Sequence, residues 1–244
     1  LDLKIKDVAE LLNVSETTIR RWLAEGKIPA YRLNHHYRFS LIEIENWMMS
    51  CRLKQRKESL LREVGGKVDL DLQIDGEKPS LDGVQKRGNQ QFGLYRAIYR
   101  GDVLDDSSQT KEELIKKTME RVADTLSLDP TVISELLLDR EKLMPTALSN
   151  GIAVPHTRDF LLKGPRDVVA VVFPKRPIDW GALDAYPVHT LFFLFACDNK
   201  RHLSLLAKLA HLSNNDTALR FLRSQPNKRE LLNYIKVWEA KISN

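Results

Sequence analysis

The chain of 244 residues is poor in cysteine and has no long apolar run. Cys51 and Cys197 are its only cysteines, so no disulfide framework and no CxxC pair can form, and a reducing cytoplasm is the expected setting. The longest apolar run, "TLFFLFAC" at Thr190–Cys197, is well short of the roughly 20 residues a membrane-crossing helix needs. No signal-peptide pattern stands at the start, and no internal repeat or low-complexity tract appears. Histidines show no HxH or HxxxH spacing, so no metal is expected, and no G-x-S-x-G marks a hydrolytic serine. No cofactor motif is evident. What remains is ordinary globular material, 43% hydrophobic and 29% charged, with a net charge of +5. That charge permits an acidic partner without demanding one.

Three textures divide the chain. Residues 1–50 are dense in apolar periodicity. Residues 51–92 open on a basic helical stretch, "CRLKQRKESLLREV" at 51–64, and continue as a Gly-, Asp- and Lys-rich linker with one short strand expected at Val68–Ile74. Residues 93–244 alternate helical and strand patterns, as an α/β domain does.

In the first segment Ile5, Val8, Ala9, Leu11 and Leu12 form one helical stripe that ends at Asn13. Ser15 is positioned to cap a second helix by accepting from the amide near Thr18. Ile19, Trp22 and Leu23 face inward on that helix, which leaves Thr17, Arg20, Arg21 and Ala24 outward, until Gly26 stops it. "KIPAYRLNHHYRF" reads as two strands around a turn at Asn34-His35, and "SLIEIENWM" as a further helix with Leu41, Ile44, Trp47 and Met48 on one face. Thr17, Arg20 and Arg21 are the candidates for reading base edges, and Lys27, Arg32 and Arg38 for holding phosphates. His35 and His36, at the hairpin tip, read as a solvated turn. Charge alone does not decide for DNA, because seven Lys and Arg face seven Asp and Glu within residues 1–50. The pattern "VAELLNVSETTIRRWLAEGKIPAYRL…YRF…IENWM" resembles the winged helix–turn–helix of the excisionase and MerR-like family. That resemblance implies double-stranded DNA as a partner and a dimer, with 51–64 as the candidate pairing helix.

In the C-terminal segment Lys111–Leu126, Asp129–Arg140, Asn199–Leu212, Asp216–Ser224 and Lys228–Ser243 read as helices, with Asp129 capping the second and Pro130 in its first turn. Val168–Phe173 and "PVHTLFFLFAC" read as buried strands. Between them "NGIAVPHTR" places His156 after a proline, at the end of an extended segment, where an α/β sheet exposes its working groups. With metal ligation and hydrolysis disfavoured by spacing, the remaining chemistry for this imidazole is nucleophilic, with a phosphoryl group taken onto a ring nitrogen. Phosphoryl transfer needs positioning, cations and donors. Arg140 ends the helix leading into this loop, and His202 opens a later helix whose N-terminus favours an anion and disfavours an imidazolium. His189 reads as a core or supporting residue, His211 as partly solvated, and Asp179, Trp180 and Asp184 as residues that shape the site.

"REKLMPTALSNGIAVPHTR", "PIDWGALDAYPVHTLFFLFAC" and "HLSLLAKLAHL" are similar, in that order, to the fructose/mannitol-type enzyme IIA domains of the bacterial phosphotransferase system. This resemblance covers about 93–242. It implies an α/β fold with a mixed sheet flanked by helices, His156 as the residue phosphorylated by the phosphocarrier protein HPr, and Arg140 and His202 lining the site. With no transmembrane permease or enzyme IIB segment in the sequence, it points to the regulatory, nitrogen-type branch, with a separate IIB or regulatory protein as a further partner. Pro145, Ala147 and Ser149 depart from the family's usual Ser, Gly and Gly, which raises the question of how the loop reaches its conformation. The alternative reading is a DNA-binding regulator whose IIA domain only docks other proteins and is not phosphorylated.

Overall fold

The computed structural model describes residues 2–12, 14–33, 36–41, 43–45, 47, 93–157, 160–162, 164 and 166–242. The expected helix at 51–64, the strand at Val68–Ile74, the turn residues Asn34 and His35, and Asn13 and Met48 lie outside them.

The N-terminal unit is built on short helices that cannot stand alone and bury their apolar stripes on one another. After a two-residue strand β1 (Asp2–Leu3), α1 (Ile5–Leu12) packs on α2 (Glu16–Ala24). Ser15 caps α2 as the sequence requires, its Oγ accepting from Thr18 N at 3.1 Å. Gly26, at φ +65°, turns the chain where a Cβ would be strained. The hairpin pairs β2 (Tyr31–Leu33) with β3 (His36–Ser40), Leu33 opposite His36, and β1 joins the far edge of β3. Leu41, Glu43, Ile44, Glu45 and Trp47 are helical. Ile19, Phe39 and Ile44 are fully buried, and Trp47 reaches back to Lys27, its indole N–H donating to the carbonyl.

The C-terminal unit begins with α3 (Gly93–Arg100) and β4 (Val103–Asp106). It continues through α4 (Lys111–Leu126), α5 (Pro130–Leu143), β5 (Ile152–Ala153), β6 (Val168–Pro174), β7 (Thr190–Phe195), α6 (Asn199–Leu212), α7 (Asp216–Arg223) and α8 (Lys228–Ile242). The sheet order is β4-β6-β7-β5 and the sheet is mixed: β6 and β7 are antiparallel, while the two outer pairs are parallel. Strand residues alternate between two cores, as period-2 geometry demands. Val169, Val171, Phe173, Phe192 and Leu194 face α3, α6, α7 and α8, whereas Ala170, Val172, Leu191, Phe193 and Phe195 face α4 and α5. Both faces are covered, which is why β6 and β7 read as continuous apolar runs rather than alternating ones.

The sequence reading had no counterpart for β1 or β4, and for β5 it gave only the extended approach to His156. Each is too short to show a period, and each exists because a longer strand offers it an edge. Apart from α3, which the sequence reading did not name, the described helices fall where expected, to within a few residues at their ends; α5 runs one turn beyond Arg140 to Leu143.

Candidate functional site: two imidazoles and a carboxylate from the other domain

His156 is reached through a tight hairpin. Asn150 and Gly151 both have positive φ, +66° and +78°, the conformation of a two-residue turn that Asn-Gly favours. Across it Leu148 N donates to Ile152 O at 2.8 Å, and Ala147 bridges Ala153. Asp184 accepts from Asn150 N at 2.8 Å, and Asn150 Nδ2 donates to Ser213 O at 2.7 Å. Ala147 and Ser149 have ordinary negative φ. The departures from the family's glycines therefore impose no backbone strain, since the two left-handed positions are carried by Asn150 and Gly151. Beyond the turn the chain runs beside β7. Leu194 N donates to Pro155 O at 2.9 Å, which sets His156 at the end of the strand as its proline predicted.

Local hydrogen bonding fixes the ring. His156 Nδ1 lies 2.8 Å from Val154 O, and since a carbonyl can only accept, Nδ1 carries the proton. The lone pair of the neutral ring is thereby on Nε2, which makes no hydrogen bond among the described residues. His202, one turn into α6, stands 5.0 Å away, centroid to centroid, edge to face. Arg140 is also buried, its guanidinium held by Met144 O at 2.9 Å, and its charge acts on His202. Burial pushes the His202 imidazole below its ordinary range against the opposing hydrogen bond and charge of Glu45, and the charge of Arg140, with that of His156 when its ring is protonated, adds to the lowering. The direction expected from the sequence holds, but its leading cause is desolvation rather than the helix terminus. Glu141 supports the loop from below. Both its oxygens accept from Thr146 N at 3.2 Å, it accepts from the Thr146 hydroxyl, and Lys111 stands 3.6 Å away.

The third member of the site was not legible in the sequence. Glu45, from the helical residues after the hairpin of the N-terminal unit, brings its carboxylate against the Nε2 side of both rings. Oε1 accepts from His202 Nε2 at 2.9 Å, and Oε2 lies 3.8 Å from His156 Nε2. Burial would raise the Glu45 pKa, but the hydrogen bond from His202 and the closeness of both imidazoles in their protonated forms outweigh it and hold the carboxyl ionised, well below the usual carboxylate range. His156, His202 and Glu45 are only 1%, 4% and 6% exposed. The sequence reading placed His156 at an open strand end; instead the N-terminal unit roofs it. Glu45 sits 111 positions from His156 in the chain, and no periodicity or motif could have joined them.

These three residues offer ligand atoms within 4.8 Å of one another, a set that could hold a metal ion. The 2.9 Å contact is a closed hydrogen bond, however, and a zinc ion at about 2.0–2.2 Å from each ligand would have to break it.

Residues 102–237 match the family described as phosphoenolpyruvate-dependent sugar phosphotransferase system, EIIA 2. The chain belongs to this family. Residues 3–52 match a helix-turn-helix domain. The EIIA domain is similar to the nitrogen regulatory protein of Escherichia coli (strain K12), 36% identical over 132 residues that span 52% of this chain and 78% of that protein. The Pseudomonas aeruginosa nitrogen regulatory protein is 34% identical over 123 residues, covering 48% and 79% respectively. In fold the EIIA domain resembles nitrogen regulatory protein IIA-Ntr from Neisseria meningitidis, with a TM-score of 0.53 at 24% identity over 58% of this chain and 98% of that one. Among the described residues no helix is long and apolar enough to cross a membrane.

Around this EIIA site, His189 proves to be a supporting residue. Its ring bonds Thr190 Oγ1 at 2.8 Å and Asn150 O at 3.0 Å, bracing the turn. His211 is exposed against Trp238. At the other end of the chain Thr17, Arg20 and Arg21 lie exposed on one face of α2, with Arg20 3.7 Å from Glu16. Lys27 pairs with Glu25 at 2.8 Å; Arg32 stacks on Tyr37 and donates to its hydroxyl, and Arg38 donates to Tyr37 O. His36 is exposed at the start of β3.

Proposed function

We propose that the protein is a regulatory phosphotransferase-system component, which accepts a phosphoryl group from phospho-HPr on His156 and binds double-stranded DNA through its N-terminal domain. The observation that carries the reading is the tautomer lock: Nδ1–H is committed to Val154 O, so the lone pair is left on Nε2, with His202 edge to face at 5.0 Å and the Arg140 charge acting on His202. In the transfer, Nε2 forms a bond to phosphorus as the bond from phosphorus to the donor's histidine nitrogen breaks, and that nitrogen keeps the electron pair. No proton need leave His156, because its one proton is on the other nitrogen. The transition state is loose, so the protein's task is to place donors on the three oxygens. His202 Nε2–H and the Arg140 guanidinium serve that role, and the N-terminus of α6 adds its partial positive charge. The added charge of about −1.5 to −2 then changes the surface it sits on. A separate IIB or regulatory protein is the acceptor to which the group passes.

The DNA-binding half rests on α2, whose Thr17, Arg20 and Arg21 are short or forked donors suited to base edges, with Lys27, Arg32 and Arg38 on the flanking phosphates. Both activities belong in the cytoplasm, where the phosphoryl donor and DNA are found, and a homodimer would match paired half-sites.

The test is incubation with phosphoenolpyruvate, enzyme I and HPr. Acid-labile phosphate should appear on the wild-type chain and be missing from His156→Ala. The burial of His156 favours a second reading, a DNA-binding protein whose EIIA domain only docks other proteins. Absence of label on either chain would select it.

A further inference from the structure

We propose that the helix–turn–helix domain is the cap of the phosphoacceptor, with the Glu45 carboxylate standing where the phosphoryl group would sit, so that domain docking and phosphorylation exclude each other. This rests on the reading of His156 as phosphoacceptor and names the regulation of that site.

A buried carboxylate is costly unless it is paired. Nothing in the helix–turn–helix core calls for one. The neighbouring Ile44 already fills that core, while Glu45 points the other way, across the domain boundary, onto His202 and His156. The anion it supplies meets the donors the EIIA site holds for a phosphoryl oxygen: the Nε2–H of His202, the electrostatic reach of Arg140 and the start of α6. The contact is not one side chain alone. Helix α1 packs along α6, the buried apolar residues of the two units form one continuous cluster, and Glu10 pairs with Lys200 at 3.5 Å on the rim. Docked in this way the cap leaves His156 no opening to a donor protein, yet leaves Thr17, Arg20 and Arg21 on the outer face.

Two consequences follow from geometry. A donor can reach Nε2 only after the domain lifts. Once phosphorus is bound to Nε2, its oxygens fill the 3.8 Å gap to Glu45 with like charge, and the domain cannot return. Phosphorylation therefore releases the helix–turn–helix from the EIIA surface, and loss of the phosphoryl group lets it close again.

The experiment compares four full-length chains: wild type, Glu45→Ala, Lys200→Glu and the double swap Glu10→Lys/Lys200→Glu. It measures the initial rate of labelling from phospho-HPr and the amide exchange of α1 and of the first turns of α6. If docking hides the acceptor, removing Glu45 raises the rate by the inverse of the open fraction, about tenfold where that fraction is a tenth. Lys200→Glu, which keeps Glu45, His156 and His202 but breaks the rim pair, raises it less, and the double swap, which carries the same charge at 200, brings it back down. Amide exchange at α1 and α6 increases in Glu45→Ala and in phosphorylated wild type. The cap is refuted if Glu45→Ala labels at or below the wild-type rate, or if phosphorylation leaves protection at α1 unchanged. If a chelator alone reproduces the acceleration, a metal ion holds the three residues together and the direct carboxylate contact is wrong. If no chain takes label, the carrier reading fails. The exchange comparison between unphosphorylated wild type and Glu45→Ala then still decides the cap, with equal protection overturning it.

Discussion

Gly151→Ala tests whether the turn before His156 is what aims its ring. At φ +78° an L residue is strained by about 1–2 kcal/mol. The new Cβ would also lie 2.6 Å from His189 Cδ2 and 2.9 Å from Pro187 O. The carbonyl belongs to backbone anchored by the Ile178–Val188 bridge and cannot retreat, so the ring must move. His189 Nε2 then gives up Asn150 O, a bond worth about 1 kcal/mol net, and the crowding adds about 1–3 kcal/mol. Against this, alanine narrows the unfolded ensemble by about 0.4–1 kcal/mol. The net expectation is a local destabilisation of ~2–6 kcal/mol. It is read from amide exchange at Leu148 and Thr190, whose N–H groups bond across the turn to Ile152 O and Gly151 O. Because Ile152–Pro155 carries any displacement directly to His156, labelling should slow by more than tenfold, as small misplacements do in phosphoryl transfer. Opening free energies at both amides within about 0.5 kcal/mol of wild type would refute the reasoning.

Other expectations follow from the same geometry. Glu141→Ala strands the Thr146 amide and hydroxyl and leaves Lys111 only the Trp180 carbonyl and ring, so a loss of about 3–5 kcal/mol should appear as a lower urea midpoint; Glu141→Gln, which still accepts from Thr146, should lose clearly less. Docking weakens with acid. His202 and Glu45 both have lowered pKa values in the docked chain, so the undocked chain binds more protons and the loss begins as pH falls below the ordinary histidine value of 6.5, continuing through the carboxylate range. Amide exchange at α1 should rise between pH 7.5 and 5.5 and the His202→Asn chain should lose the upper part of that slope; exchange that slows on acidification would contradict the assignment. On a duplex selected from a random pool, Arg20→Ala and Arg21→Ala should each cost about 1–3 kcal/mol and relax specificity, while Lys27→Ala should weaken all sequences alike and reduce the salt slope by about one. Equal losses on selected and unselected duplexes would remove the arginines from base reading.

What could be read ahead of the structure was local. Ser15, Asp129 and Pro130 act within one helical turn of themselves, so their roles stand in the sequence. The proline before His156 fixed the extended approach, and the apolar runs fixed both central strands. β1 and β4 were silent because two to four residues carry too little of a period. The replaced glycines suggested strain that the fold avoids by putting both left-handed residues at Asn150 and Gly151. Glu45 was invisible for a different reason. On its own helix it falls beside the apolar face and looks solvated, and only tertiary contact turns it into a buried anion. The leading cause of the His202 shift is its burial in the folded chain, which sequence spacing does not show.

The covalent connection between Trp47 and Gly93 gives the docked contact one more property. Joined in one chain, the two domains meet at an effective concentration set by the tether rather than by how much protein the cell makes. Closure is then a first-order event, which dilution does not slow and overexpression does not hasten. An outside protein competing for the same histidine gains or loses ground with its own abundance. The occupancy of this site would thus report the supply of the donor against a fixed internal standard.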